Sequence, residues 1–182
     1  MTYPVVESAE EKMMMALEYF EEELGTIRTG AANPSMLKNV TVDYYGSPTP
    51  LNQIAGIKVE EGRILVIKPY DPSSLKDIEK ACNKADLGIA PQNDGTVIRL
   101  AVPKLTGETR KEMTKKVSKM AESAKVQIRN IRRDANQTIK KDASMDEDNQ
   151  KDAEKDIQKL TDKYIDQIDE AADKKSAEVM KV

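Results

Sequence analysis

Three stretches of the chain repeat apolar side chains at alternating steps of three and four residues, the spacing that aligns them on one face of an α-helix. The first stretch, residues 5–29, carries Val6, Ala9, Met13, Ala16, Phe20, Leu24 and Ile27. The second, residues 106–141, carries Met113, Val117, Met120, Ala124, Ile128, Ile131, Ala135 and Ile139. The third, residues 147–180, carries Ala153, Ile157, Leu160, Tyr164, Ile168 and Ala171. None of these helices could bury its apolar face alone, so they predict a long antiparallel three-helix bundle.

Between the first and second helices the period of the apolar residues becomes strand-like. Apolar and polar residues alternate over 40–44, and GSPTP then breaks the chain. IKVEEGRILVIKP (57–69) predicts one hairpin and IAPQNDGTVIRLAVP (89–103) predicts another. DPSSLKDIEKACNKADLG (71–88) lies between them and predicts a short helix. Its end signals are an N-cap, a first-turn proline and a terminal glycine: Asp71, Pro72 and Gly88.

This change of pattern predicts two domains. A small β-rich α/β domain of residues 31–103 is inserted into a discontinuous bundle formed by 1–30 and 104–182. The chain passes between them at 29–34 and 101–107, and both connections carry Pro and Gly. Two parallel linkers make a natural hinge, with a rigid double connection as the alternative. The predicted hinge residues are Thr29, Gly30, Ala31, Ala32, Val102, Pro103 and Lys104.

Composition removes most catalytic and metal chemistries. The chain has no His, so it lacks the usual imidazole base and any His metal site. Cys82 is its single Cys, which excludes a disulfide framework or a cysteine-cluster zinc site and suits a small core residue. We find no Gly-rich phosphate loop or G-x-S-x-G motif, and we predict no catalytic residue, no metal and no cofactor. Without a long apolar run or a secretory signal, we expect a cytoplasmic protein with no membrane partner.

Charge is distributed unevenly along the chain. The formal net charge is −3, yet residues 104–141 hold 12 basic and 4 acidic side chains. A basic segment within a mildly acidic protein is typical of a surface that binds a polyanion. The alternative is that this helix pairs with two acidic neighbouring helices. Charge alone leaves both interpretations open.

The basic residues of the second helix gather beside its apolar face. On a helical wheel, Lys111, Lys125, Arg129 and Arg132 fall within about 60° of one another. Arg133 lies slightly further round, and Arg110 lies near the apolar edge. Guanidinium forks can bind phosphate through two hydrogen bonds. Because the helix has no aromatic residue to stack on bases, the pattern favours recognition of the backbone and shape of structured nucleic acid.

Four longer segments resemble one known family. They are ELGTIRTGAANPSML (23–37), VDYYGSPTPLNQIA (42–55), DLGIAPQNDGTVIRLAVPKLTGETRKE (86–112) and VQIRNIRRDAN (126–136). In the same order, and across essentially the whole chain, they resemble the bacterial ribosome recycling factor family. The resemblance implies a three-helix bundle carrying a smaller α/β domain on two hinge linkers, in an L shape like that of tRNA.

The resemblance also implies a function and partners. A monomer would bind the large ribosomal subunit through its rRNA after termination. With elongation factor G and GTP it would split the ribosome from mRNA and deacylated tRNA so that ribosomes are reused, without being an enzyme itself. No membrane and no DNA enter this expectation. Two further classes stay open from the residues alone: a helical adaptor that binds a protein through its acidic faces, and an enzyme with an unusual carboxylate pair.

In that family, bundle arginines contact ribosomal RNA, and the resemblance transfers this role to matching positions here. Together with the wheel, it gives the predicted RNA-binding residues Arg132, Arg129, Arg110, Arg133, Arg28 and Lys125. One position departs from the family pattern. Ala31 follows the TG at the end of the first helix, where the family commonly has Arg, so a positive charge is missing at the start of the linker.

Overall fold

The computed structural model describes residues 3–181. Residues 1, 2 and 182 of the predicted bundle lie outside the described residues. The helices, in chain order, are α1 (Pro4–Gly25), α2 (Leu51–Ile54), α3 (Leu75–Lys84), α4 (Gly107–Lys141) and α5 (Glu147–Met180). The strands are β1 (Thr41–Tyr44), β2 (Ser47–Pro50), β3 (Ala55–Glu60), β4 (Ile64–Pro69), β5 (Gln92–Asn93) and β6 (Ile98–Ala101). Single 3₁₀ turns lie at Pro34–Leu37 and Pro72–Ser74.

The larger of two compact units holds α1, α4 and α5 and confirms the predicted three-helix bundle. Contacts Lys125–Asp169 and Arg132–Gln158 run in opposite residue order, so α4 and α5 are antiparallel. Contacts of α1 with α5 run in the same order, so these two helices are parallel. Asp146 is the N-cap of α5, and its carboxylate accepts a hydrogen bond of 2.8 Å from the Asn149 backbone N–H. This cap satisfies one of the free donors at the helix start.

The residues of α5 that are buried in the bundle differ by one position from two of those predicted. Leu160 and Ala171 are only half-buried, whereas Thr161 and Ala172 are buried. A straight α-helix has 3.6 residues per turn, so a strict heptad pattern slips by about 20° per heptad and the buried line moves by one residue. The Thr161 hydroxyl donates 2.8 Å to the Ile157 carbonyl, which satisfies it inside the bundle.

The smaller unit, Arg28–Thr106, contains the predicted inserted sheet. Its four strands are antiparallel in the order β3-β4-β6-β5, with Ile57 opposite Ile67 and Val66 opposite Arg99. One sheet face packs against Ile78 and Cys82 of α3. Cys82 is 1% exposed, and burial, with a smaller contribution from Glu79, raises its pKa to about 11. The thiol is therefore a core group, as predicted.

Two local predictions in this unit are wrong. The GSPTP segment does not break the sheet structure: β1 turns at Tyr45–Gly46, both with positive φ, and pairs with β2. Prolines are tolerated in β2 because its two-stranded sheet has only edge strands. Gly88 does not end α3, which stops at Lys84. Asp71 is an N-cap, but of the 3₁₀ turn Pro72–Ser74 and not of α3, which begins at Leu75: its carboxylate accepts a 3.0 Å hydrogen bond from the Ser73 N–H.

The two connections lie with the smaller unit and run side by side. A Cβ on Gly30, which has φ +75, would be 3.6 Å from Leu105. The N–H of Ala32 donates to the Gly62 carbonyl at 3.0 Å, and the N–H of Val102 donates to the backbone carbonyl of Arg63 at 2.8 Å. These bonds tie both connections to the β3–β4 turn. Of the predicted hinge residues, Ala31, Pro103 and Lys104 are exposed, and the hinge itself stays a prediction.

Candidate nucleic-acid interface

Three of the predicted arginines lie together on the C-terminal half of α4. Arg129, Arg132 and Arg133 line an open depression of about 400 Å³, with Asn136 and Lys140 further along the helix. They come together because residues three and four apart share one face of a helix. The depression is formed by long side chains on a single helix, so it suits an extended charged surface better than an enclosed ligand.

The charges of these arginines are not neutralised by carboxylates. Within residues 3–181, Arg132 donates from Nη1 to Oε1 of Gln158 at 3.0 Å, and Arg133 donates from Nη2 to Oδ1 of Asn130 at 3.1 Å. Both partners are neutral amides. Arg129 is exposed and forms no ion pair in the same range. Three guanidinium groups therefore keep their full charge and several free N–H donors at one surface.

Gln158 lies on α5 and orients Arg132 across the helix interface. Its Oε1 accepts from Arg132, and its Nε2 donates to Oδ1 of Asp162 at 2.9 Å. The Gln158 amide thus accepts from one N–H of the half-buried arginine, and it donates to the Asp162 carboxylate, which binds the amide instead of the arginine. This arrangement fixes the direction of the guanidinium without cancelling its charge.

Lys125 differs from the arginines. Its side chain is 15% exposed, and its ammonium pairs with Asp169 on α5 and lies 3.3 Å from Glu122. The hydrogen bond to Asp169 is the main cause of a raised pKa for Lys125. Its positive charge is already paired with carboxylates, which corrects the expectation from the wheel that Lys125 offers a free cation. The interpretation that the basic helix pairs with its acidic neighbours holds at this position.

The remaining predicted arginines lie apart from the depression. Arg110, in the first turn of α4, is half-buried, and its Nε is buried with no hydrogen-bond partner among residues 3–181. Arg28 is exposed and belongs to the smaller unit. Its Nη2 lies 3.1 Å from the point that a Cβ on Gly88 would occupy, and Gly88 has φ +69. Gly88, which was predicted to end α3, therefore has no side chain that would crowd the Arg28 guanidinium.

Two residues that the sequence did not single out belong to this surface. One is Gln158, which lies on a different helix. The other is Asn136, which lines the depression and whose Oδ1 is buried without a partner among the described residues. Residues 3–181 contain no His, Cys, Asp or Glu group able to hold a metal ion. Over the same range, no helix is both long enough and apolar enough to cross a membrane.

The fold and this surface together define a class of protein: a helical bundle with an unpaired arginine surface and an inserted α/β unit. Comparison with known proteins gives the particular family. The ribosome recycling factor family matches residues 20–180. The ribosome-recycling factor of Halalkalibacterium halodurans is 53% identical over the full length of both chains.

Two solved structures are similar to this chain. A solution structure of the ribosome recycling factor has a TM-score of 0.83 and 38% identity, and covers 98% of this chain and 96% of its own. A second contains the T. thermophilus ribosome recycling factor and the E. coli elongation factor G bound to the E. coli post-termination complex. It has a TM-score of 0.65 and 41% identity over 97% of each chain. The chain belongs to the ribosome recycling factor family, so it is a translation factor and not an enzyme. The family assignment decides against the protein adaptor and the carboxylate enzyme.

Proposed function

We propose that this chain binds rRNA of the large ribosomal subunit after termination through the arginine surface of α4, and splits the ribosome together with elongation factor G and GTP. One observation carries the proposal: Arg129, Arg132 and Arg133 share one surface with no carboxylate paired to them. The related T. thermophilus factor, in a complex with elongation factor G on the post-termination complex, supports the choice of partners.

The chemistry of the surface fits a phosphate backbone. Guanidinium groups bind phosphate through two parallel hydrogen bonds, and the released counterions make such binding sensitive to salt. From Arg129 to Lys140 the surface extends about 16 Å along the helix, at a rise of 1.5 Å per residue. This length spans several phosphates of a folded RNA. Without an aromatic residue on α4, contact with backbone and shape is favoured over base reading.

The smaller unit has a different part in this proposal. Residues 31–103 carry no net charge. They swing on the connections at 29–32 and 102–104 when elongation factor G acts on them. The RNA-binding bundle of 1–30 and 104–182 stays docked on the large subunit. The GTPase belongs to the partner, and this chain supplies binding and leverage. Its place of action is the cytoplasm, where the ribosomes of a bacterium work.

The test is Arg132→Ala. We expect its affinity for large subunits to fall about 10- to 100-fold, because a charge-assisted hydrogen bond contributes roughly 1.5–3 kcal/mol. The slope of log affinity against log salt should fall by about one, because one phosphate contact is lost. Pelleting with purified subunits across a salt series measures both. Splitting of post-termination complexes with matched elongation factor G and GTP should slow in parallel.

Two further variants isolate the charge effect. Arg129→Ala removes an exposed side chain and repeats the test without disturbing packing. Lys159→Ala is the matched control, since Lys159 lies on α5, is 79% exposed and pairs with Asp156. It removes the same charge from the same bundle and should leave binding unchanged. Unchanged affinity and slope in both arginine variants would refute the assignment of this surface.

A further inference from the structure

The sheet of the smaller unit has one face that no other element of the unit covers. The opposite face packs against α3 through Leu65, Ile67, Ile98 and Leu100. Side chains alternate along a strand, so the intervening residues point to the open face. The open face forms a depression of about 580 Å³, within the range of volumes that hold small ligands.

The floor of this depression is apolar and its wall is aromatic. Val66 forms the centre of the floor and is 8% exposed, although it lies on the open face. Gly56 lies one row away, where its missing side chain leaves a notch. The Tyr70 ring borders the notch, with Cε1 3.9 Å from the point that a Cβ on Gly56 would take. Tyr70 is nevertheless 71% exposed, so a flat ligand could reach its ring.

The rim carries three cations and one carboxylate, Glu60, so its positive charge is only partly neutralised. Arg99, opposite Val66, hydrogen-bonds Asp94 and lies 4.0 Å from Glu60. Lys58 and Lys68 line the same depression, are exposed, and form no ion pair within residues 3–181. An apolar floor, an accessible aromatic ring and two free ammonium groups therefore occur together.

We propose that this face binds an unpaired nucleotide of RNA, with its base against Tyr70 and Val66 and the adjoining phosphates at Lys58 and Lys68. Four-stranded sheets with exposed aromatic residues bind single-stranded RNA in this way, and every base has a π-face for such a ring. An acidic protein segment would use the two lysines but leave the ring and the apolar floor without a partner. The choice of RNA rests on the proposed function, because that function brings the chain to a ribosome.

One aromatic residue predicts weak and local binding. A single stacked base and two phosphates form a weak contact. Once the surface of α4 holds the RNA, the sheet face meets it at a high effective concentration, so this weak contact adds to the stronger one. This site differs in kind from the surface of α4. The helix surface contacts backbone, whereas the sheet face contacts a base that is out of its helix.

Residue-resolved NMR on the full chain tests the proposal, with single-stranded octauridylate as the probe. We expect saturable shifts at Lys58, Val66, Lys68 and Tyr70. Tyr70→Leu should weaken binding at this face about tenfold, the loss expected for one stacked base, while Tyr70→Phe keeps it within about twofold. Both substitutions change an exposed side chain, and the dispersion of the NMR spectrum shows whether each variant is still folded.

Charge-matched variants separate a site from general attraction. Lys58→Gln with Lys68→Gln should abolish saturation at the sheet face. Lys76→Gln with Lys80→Gln removes the same charge from α3, on the other side of the sheet, and should leave it unchanged. Inorganic polyphosphate replaces RNA in a second titration and should leave the Tyr70 ring resonances in place. Equal effects of the two lysine pairs, or equal shifts of the ring with polyphosphate, would overturn the proposal.

The same titration separates this inference from the proposed function. Shifts confined to Arg129, Arg132 and Arg133, with the sheet face unmoved, would overturn the inference and leave the helix interface intact. Shifts at the sheet face without any at α4 would support the inference and leave the helix surface, which is proposed for folded RNA, to the subunit-binding test. If octauridylate shifts neither set, the inference fails, and the helix surface is decided by the subunit-binding test of Arg129→Ala and Arg132→Ala.

Discussion

Lys125 and the arginines that follow it lie on the same face of α4 and carry the same formal charge. They differ in whether a carboxylate is paired with that charge. At Lys125 the charge is paired with Asp169 across the bundle and with Glu122 on its own helix. One turn later, Arg129 has no carboxylate partner, and Arg132 is held by the neutral amide of Gln158. The difference depends on which residue α5 places opposite each position. A count of basic residues therefore overestimates the charge available to an RNA.

Among changes to the partners of these cations, the largest expected effect comes from giving Arg132 a carboxylate partner like that of Lys125. Gln158→Glu puts a carboxylate opposite Arg132, so that arginine becomes paired as Lys125 is. We expect affinity for large subunits to fall about tenfold, because the guanidinium must leave an ion pair before it can bind phosphate. Pelleting at fixed low salt measures the change.

The matched control is Gln158→Met, which removes the amide but adds no charge. It should cost no more than about threefold, because only the orientation of Arg132 is lost. If the Glu and Met variants bind equally, the identity of the residue opposite Arg132 does not govern its availability, and the comparison with Lys125 breaks down.

A smaller effect is expected from Lys125→Met, which keeps the apolar stem and removes the paired charge. Binding to large subunits should stay within about twofold. The free energy of unfolding should fall by about 1 kcal/mol or less, as for other partly exposed ion pairs. Denaturant titration gives the stability and pelleting gives the binding. A loss of binding as large as that of Arg132→Ala would mean that Lys125 releases Asp169 to contact RNA.

The smallest effect concerns Arg99, an arginine of the sheet whose charge is paired. Its partner Asp94 accepts hydrogen bonds from the N–H groups of Val97 and Thr96 and from Arg99, which lower its pKa to about 2. A lowered pKa stabilises the fold above the ordinary value near 3.8 and loses that contribution as pH falls towards 2. Asp94→Asn should therefore lower stability at neutral pH and flatten its pH dependence between about 4 and 2.

Urea midpoints of the parent and of Asp94→Asn at several pH values in this window measure the effect. The parent also contains Asp71 and Asp142, whose carboxylates accept hydrogen bonds that lower their pKa. Only the difference between the two proteins reports Asp94. Parallel curves for the two proteins would contradict the assignment.

Local patterns predicted the large elements of this fold because each pattern is set by a single segment. The heptad spacing predicted the three bundle helices, the alternation over 40–44 predicted β1, and the two hairpin patterns predicted strands β3, β4 and β6. The errors arise where a neighbour decides. The two prolines of β2 read as a break, yet its edge position tolerates them. Gly88 was predicted to end the helix, yet the backbone leaves it after Lys84, where Asp86 takes a positive φ, and Gly88 lies against Arg28 instead.

The candidate site divides in the same way. A wheel places Arg129, Arg132 and Arg133 on one face because that depends only on the helix. It cannot show that Asp169 reaches Lys125 or that Gln158 reaches Arg132, since both depend on the register between α4 and α5. The buried, unpaired Oδ1 of Asn136 depends on how the helices pack, so no sequence pattern marks it. No sequence signal separates a free cation from a paired one.

The buried thiol of Cys82 makes this chain convenient for fluorescence spectroscopy. With a pKa raised to about 11 and 1% of its surface exposed, the native cysteine supplies almost no thiolate to a maleimide dye near neutral pH. Two introduced surface cysteines would then be the only residues to take the dyes. A donor and an acceptor, one on each unit, could follow the distance between them during turnover without first removing the native residue.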